Sequence, residues 1–286
     1  MLGIIGGSGL YDLPGLTGVR SQTVRTPFGD PSDPILLGRL GEQEIAFVSR
    51  HGAGHRFSPS EVPYRANLHA LKQLGATRVI GVSAVGSMKE EIAPGHLVLP
   101  TQYIDRTVAR PRTFFGEGVV AHVAFADPVC RQLHGHLNAA CFAAGATVHA
   151  EGTYLCIEGP QFSTRAESEL YRSWKIEVIG MTALPEARLA REAELCFATL
   201  ALATDYDCWH TGHDAVTAGQ VIETLQRNLA MAREVIRNAA LALGRIRERT
   251  CACGHALDGA VMTAPSRIPP AARERLALLL GDRFKA

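Results

Sequence analysis

Short apolar runs rich in β-formers alternate with helix-length amphipathic runs along most of this chain, an alternation that predicts an α/β domain. Leu2–Ile5 reads as a buried strand ending in Gly6-Gly7-Ser8-Gly9. Ile35–Leu40 and Glu44–Ser49, separated by Gly41-Glu42-Gln43, predict a hairpin. Tyr64–Leu74 reads as a helix stopped by Gly75, followed by a buried strand over Arg78–Ser83. A short strand is expected over His96–Pro100, then a helix over Asp127–Ala144 with Asp127 as N-cap and Pro128 as its first residue. The pattern continues with a strand over Thr147–Ile157, a helix over Arg165–Ser173, a strand over Ile176–Ile179 and a helix over Pro185–Glu194. Cys196–Ala203 is a fully apolar strand that ends at Thr204-Asp205-Tyr206-Asp207, and Thr217–Arg249 reads as one long helix. Pro265, Pro269 and Pro270 precede Ala271–Leu280, the signature of a linker and a terminal helix. The expected organisation is a single domain over residues 1–245 and a C-terminal helical tail over 246–286.

Composition narrows the partners. With 286 residues, 47% hydrophobic and 20% charged, the chain falls in the ordinary globular range. Its 29 Lys+Arg against 28 Asp+Glu leave a net charge of +1, which argues against nucleic acid or an anionic membrane surface as partner. A small anion held by a few local groups stays open. No apolar run approaches the roughly 20 residues of a membrane span, and the first residues lack the basic start of a signal peptide. Cys141, Cys156 and Cys196 lie in apolar stretches, as buried free thiols do, so a reducing cytoplasm is the expected location. Cys251-Ala-Cys253-Gly-His255 admits a redox pair or a partial metal site. Zinc wants four ligands and no second Cys/His cluster stands nearby in the sequence, so no metal is assigned.

In an open α/β sheet, ligands bind beyond the carboxyl ends of the strands. Four expected strand ends offer anion-binding groups: Gly6-Gly7-Ser8-Gly9, Ser49-Arg50-His51-Gly52, Ser83-Ala84-Val85-Gly86-Ser87 and Gly180-Met181-Thr182. Glycine permits close backbone approach and adjacent N–H groups favour anions, so together they describe one phosphate site. Taken singly, each also fits a tight turn or a surface Arg-His pair. The first loop is neither a dinucleotide fingerprint, since Asp12 stands where the last Gly belongs, nor a nucleophile elbow, since Leu10 does. His51-Gly-Ala-Gly-His55 has helical spacing for two metal ligands, but its glycines argue against a helix. Asp205 and Asp207 close a nearly charge-free strand; burial and mutual repulsion would raise their pKa and make a general acid, while an Asx-turn that merely ends the strand is the other reading.

Gly3-Ile-Ile-Gly-Gly-Ser-Gly-Leu-Tyr11, Thr26-Pro-Phe-Gly-Asp-Pro-Ser32, Ser49-Arg-His-Gly52, Pro63-Tyr-Arg-Ala-Asn67, Glu158-Gly-Pro-Gln-Phe-Ser-Thr-Arg-Ala-Glu167, Gly180-Met-Thr182 through Leu184-Pro-Glu186 and Ala203-Thr-Asp-Tyr-Asp-Cys-Trp209 occur in this order. The series resembles the S-methyl-5'-thioadenosine phosphorylase branch of the purine nucleoside phosphorylase family over about residues 2 to 240. The resemblance implies a central mixed sheet flanked by helices, phosphorolysis of a purine nucleoside, inorganic phosphate as co-substrate and no metal or organic cofactor. It implies a phosphate site of Ser8, Arg50, His51, Ser83, the Ala84 backbone N–H and Thr182. Phe162 would line the purine, Met181 would underlie the ribose, and Asp205, supported by Asp207, would meet purine N7 and the exocyclic amine. Val221 would form part of an apolar wall for the methylthio group, with His122 supplied by a neighbouring subunit of a homotrimer or hexamer. Phe162, Met181 and Val221 equally fit plain core positions. Ser163 and Asp205 replace the Glu and Asn of relatives that act on 6-oxopurines, which favours a 6-aminopurine. Gly180, where many relatives carry Asn, and Ala218, where they carry a larger apolar residue, depart from the pattern.

Overall fold

Apolar residues at every position, as in Leu2-Gly-Ile-Ile-Gly6, make strands that can be covered on both faces, and such strands form the centre of the sheet here. The computed structural model describes residues 1–210, 218–246 and 248–284, the side chains of Ser8, Ala218, Gln220, Val221, Asp282 and Phe284 excepted. In chain order the elements are β1 (Leu2–Gly6), β2 (Thr17–Gln22), β3 (Ile35–Leu40), β4 (Gln43–Ser49), α1 (Tyr64–Gln73), β5 (Arg78–Ser87), β6 (Leu97–Val98) and β7 (Gln102–Asp105). They continue with α2 (Arg131–Ala143), β8 (Val148–His149), β9 (Thr153–Cys156), α3 (Arg165–Ser173), β10 (Val178–Gly180), α4 (Ala183–Glu192), β11 (Cys196–Asp205), α5 (Ala218–Gly244) and α6 (Pro270–Leu280).

The strands form one mixed sheet in the order β2-β3-β4-β1-β5-β10-β9-β7, and β11 lies on the remaining edge of β5 with β6 and β8 beyond it. Helices cover both faces. Ile5 packs with residues of α1, α4 and α6, whereas Leu2 and Ile4 pack with residues of α2 and α5, the period of two expected of a doubly covered strand. The molecule is a single α/β domain. Its C-terminal helix is part of the core: Ala272, Leu276, Leu279 and Leu280 are buried in the cluster that holds Leu68 and Ala187.

The sheet opens at one point. β11 runs beside β5 from Arg78 to Gly86, filling one edge. The opposite edge is shared, with β1 pairing over residues 78–81 and β10 pairing antiparallel at Gly86 and Ser87. Among the described residues, therefore, no strand pairs with residues 82–85 of β5 on that side. The chain places its polar strand ends there.

Several sequence expectations shift. β5 continues past Ser83 to Ser87 because β10 pairs with its end, so the Ser83–Ser87 stretch is strand and not loop. α2 begins at Arg131, not Asp127: Val129 and Cys130 are buried and the Cys130 N–H donates to Phe197 O at 2.9 Å, tying this segment to the sheet. Thr147–Ile157 splits in two, since β8 pairs with β6 while β9 pairs with β7 and β10; Gly152, at φ +152°, lies between them. β2, an exposed polar edge strand, is not legible in the hydrophobic pattern. α5 stops at Gly244, whose missing side chain lets the helix end against Gln43 of β4. Two glycines in His51–His55 do preclude a regular helix; the segment is a short 3-10 turn in which the two imidazoles stack at 4.2 Å.

Candidate active site

Arg50 follows β4, and its backbone N–H donates to Gly6 O at 2.9 Å, locking the ends of β4 and β1 together. Its buried guanidinium donates from Nε and Nη2 to Glu186 of α4, at 2.6 and 3.0 Å. Nη1 donates to Val82 O at 2.6 Å and Nη2 to Ile5 O at 3.3 Å. Four of the five guanidinium hydrogens are thereby directed inward, leaving one on Nη1. Val82 O belongs to the unpaired edge of β5, so Arg50 lies at the opening in the sheet.

Ser83 and Thr182 meet at the same opening: the Thr182 hydroxyl donates to Ser83 Oγ at 3.2 Å, and Ser83 Oγ lies 3.1 Å from the Tyr154 hydroxyl. Both side chains are buried. Burial pushes the Tyr154 phenol up to about 12, so it stays a neutral hydrogen-bonding group. Its hydroxyl occupies the space beside Gly180, where a Cβ would lie 2.0 Å from it. Gly180 is thus fixed by the aromatic residue that supports the two hydroxyls. Ala84, next on β5, faces the same unpaired edge, between the pairings of β1 and β10.

His51 adjoins Arg50. Its Nδ1 lies 2.8 Å from Phe57 O, an acceptor only, which sets Nδ1 as the N–H and leaves Nε2 as an acceptor. Burial and the Arg50 charge push this imidazole down to about 4, so it is neutral at pH 7. Ser8 lies in a 3-10 turn over Ser8–Leu10; its side chain is outside the described residues.

The acidic pair sits further along β5. A register shift between Ala203 and Asp205 sets Asp205 opposite Gly86. A Cβ on Gly86 would lie 2.9 Å from Asp205 Oδ1, so glycine allows the carboxylate to rest on the strand. Asp205 Oδ1 accepts from the Asp207 N–H at 2.8 Å and Oδ2 from Thr204 Oγ1 at 2.7 Å. Asp207 is buried, in left-handed backbone at φ +54°, and its Oδ2 accepts from Ser168 Oγ at 2.5 Å. Burial raises both carboxyls; Asp207 is pushed up to about 6, with the Asp205 charge adding to the burial and Ser168 opposing it. The Trp209 N–H donates to Ser87 O at 2.7 Å, anchoring the chain after the pair. These bonds include the Asx-turn, and the same turn carries the raised pKa, so the two readings of this strand end coexist.

Beside the pair, Ile157, Gly159, Phe162, Ser163 and Tyr171 line a cleft of about 250 Å³. Phe162 is 43% exposed, which removes the plain core reading for it. Ser163 Oγ is buried with no hydrogen-bond partner among the described residues. Met181 packs against Gly159, where a Cβ would come within 2.6 Å of its sulfur. Arg110 fastens the two segments: it donates to Glu158 O at 2.6 Å, Met181 O at 2.5 Å and Leu184 O at 2.9 Å.

The fold therefore gathers Arg50, His51, Ser83, Ala84 and Thr182 at the opening and sets Asp205, Asp207, Phe162, Ser163 and Met181 beside it. It does not bring His122 there. His122 is exposed, and its N–H donates to Ala260 O at 2.9 Å in the C-terminal tail. The side chains of Val221 and Ala218 lie outside the described residues. The sequence pattern does not mark Tyr154, Arg110 or Ser168 as site-building residues, and marks Glu186 only faintly. Only Glu186 had a signal, a carboxylate on an otherwise apolar helix face directly after Leu184-Pro185.

Residues 1–241 match the phosphorylase superfamily. The S-methyl-5'-thioadenosine phosphorylase of Geobacter sulfurreducens is 57% identical over 283 residues, covering 99% of this chain and 98% of that protein. A crystal structure of methylthioadenosine phosphorylase sourced from an Antarctic soil metagenomic library superposes with a TM-score of 0.93 at 48% identity, over 98% of each chain. Methylthioadenosine phosphorylase from Schistosoma mansoni in complex with adenine gives a TM-score of 0.83 at 35% identity, covering 93% of this chain and 98% of that one. Similarity of this extent in both sequence and fold makes the chain a member of the phosphorylase superfamily, in its S-methyl-5'-thioadenosine phosphorylase branch.

Proposed function

We propose that this enzyme cleaves S-methyl-5'-thioadenosine with inorganic phosphate, giving adenine and 5-methylthioribose 1-phosphate. The supporting observation is the opening in the sheet beside β5, where Arg50, Ser83 and Thr182 stand a few residues from the Asp205–Asp207 pair. Phosphate would accept from the remaining Arg50 N–H, the two hydroxyls, Ser8 and the Ala84 N–H. His51, neutral and with its Nδ1–H engaged, offers Nε2 as acceptor to the protonated oxygen of hydrogen phosphate.

A phosphate oxygen then forms the bond to the anomeric carbon as the C–N bond breaks and its electron pair passes into the purine. The Asp205–Asp207 pair, carrying one proton, gives it to purine N7. Ser163 Oγ, buried and without a partner among the described residues, has hydrogen-bonding capacity for the base edge, and Asp205 accepts from the 6-amino group. Phe162 lines the purine, Met181 underlies the ribose, and Val221 with His122 of the partner subunit closes the methylthio end of a homotrimer or paired trimer. The reaction uses no organic cofactor. In this reading residues 1–245 carry the catalytic unit, and 246–286 support it.

The test is release of purine base from methylthioadenosine, adenosine and inosine, with and without phosphate. Phosphate-dependent adenine release, greatest with methylthioadenosine, is the expected result. Efficient turnover of inosine with none of methylthioadenosine would overturn the assignment.

A further inference from the structure

The Cys-x-Cys pair of the tail does not stand by itself. Cys130, Cys196, Cys251 and Cys253 come together so that their four sulfur atoms all lie within 4.8 Å of one another. Cys130 closes the segment before α2, Cys196 opens β11, and the other two flank the start of the 3-10 turn Ala252–His255. All four are free thiols; three are buried, and half-buried Cys251 provides a way in. The Cys196 and Cys251 sulfurs are 3.3 Å apart. With Zn–S bonds of about 2.3 Å, the sulfurs of a tetrahedral site stand about 3.8 Å apart, so this cluster is close to the required size. The sequence shows no second Cys/His cluster near Cys251; the start of β11 and the N-cap of α2 supply it from distant parts of the chain.

The surroundings suit thiolates. Cys130 occupies the N-cap of α2, where the helix dipole favours negative charge. Arg249 reaches the same turn: a Cβ on Gly254, the residue after Cys253, would lie 2.7 Å from its Nη2, and the guanidinium is held by Glu194 O at 2.8 Å. His255 is exposed and pairs with Asp258 at 3.1 Å, so the set is four sulfurs and not three sulfurs and a nitrogen.

We infer that Cys130, Cys196, Cys251 and Cys253 bind one Zn²⁺ ion as a tetrahedral tetrathiolate that fastens the C-terminal tail to β11 and α2. Four sulfurs in this arrangement close the coordination sphere and select zinc over harder cations. Binding releases the thiol protons to solvent, and the net negative charge of the complex is offset by Arg249 and the α2 N-terminus. The site is structural. Cys196 and Asp205 lie at opposite ends of β11, about 30 Å apart along the strand.

The full-length protein, purified under reducing conditions without chelator, is assayed for metals by mass spectrometry. About one zinc per chain is expected, and after removal of zinc, added Co²⁺ is expected to give the visible spectrum of a tetrahedral thiolate complex. Added zinc is expected to raise the Tm of the reduced apoprotein, and Cys251→Ser and Cys253→Ser to lose both the zinc and that rise; half-buried Cys251 is the position most tolerant of exchange. Failure of the reduced apoprotein to take up equimolar zinc overturns the inference. So does iron in its place, a Cys196–Cys251 disulfide in freshly purified protein, or a Cys251→Ser variant that retains zinc undiminished.

Discussion

Arg50 and Glu186 meet in a two-point contact at full burial, Nε to Oε1 at 2.6 Å and Nη2 to Oε2 at 3.0 Å, across 136 positions of sequence. The arginine of the proposed anion site is therefore already neutralised, and a phosphate there would meet an oriented N–H more than an unpaired charge. In the proposed reaction hydroxyls and backbone N–H groups would carry the larger share of anion binding, so a chain of net charge +1 could handle a phosphate dianion.

Glu186→Gln keeps the shape of this contact and removes its charge. Losing one partner of a buried ion pair costs about 3–5 kcal/mol. The variant should unfold at lower denaturant, and because a Gln amide turns an N–H toward Arg50 where a carboxylate oxygen accepted, the guanidinium loses its fixed orientation and the KM for phosphate should rise. Equilibrium unfolding and phosphate titration at saturating nucleoside check both effects.

Asp207, pushed up to about 6 from 3.8, gives a signed pH dependence. Below about pH 4 it is protonated folded and unfolded, and contributes nothing. As pH rises towards 6 the unfolded chain ionises first, so the folded state loses up to about 3 kcal/mol, and above 6 the loss is constant. The stability of the wild type relative to Asp207→Asn should accordingly fall between pH 4 and 6 and then level off. Its kcat/KM for the nucleoside should decline above about pH 6 as the pair loses the proton it gives to N7. A stability difference that rises over the acid interval would contradict the assignment.

Gly180→Ala places a methyl group where the Tyr154 hydroxyl stands. Displacing that hydroxyl disturbs Ser83 and Thr182 together, and overpacking of this kind costs about 1–3 kcal/mol. KM for phosphate should rise while KM for the nucleoside changes little. Tyr154→Phe, which removes the hydroxyl and keeps the ring, should raise the phosphate KM in the same direction.

The choice of base is open to exchange at two positions. Asp205→Asn should cut adenine release severely, and combined with Ser163→Glu it should gain activity on inosine, because a carboxylate then faces the N1–H of hypoxanthine. Sites that leave a buried polar group unpaired discriminate by factors of roughly 10⁴. Turnover of methylthioadenosine by Asp205→Asn at the wild-type rate would remove Asp205 from the reaction.

Periodicity, caps and charge made much of this protein legible before folding. The apolar run of β11 with its acidic end, the β3–β4 hairpin and the span of α3, closed by the capping box of Thr164 and Glu167, follow from contacts within a few residues. So does the inventory of hydroxyls and glycines at strand ends. Tertiary structure alone decided that β1 and β10 share one edge of β5 and leave residues 82–85 unpaired, that Glu186 turns inward to Arg50, that Tyr154 fills the space of a side chain at Gly180, and that Cys130 and Cys196 join the Cys-x-Cys pair. Those partners are far apart in the chain, and strand order sets their distances. A sequence pattern reports which face a residue buries, and the topology of the sheet determines what it meets there.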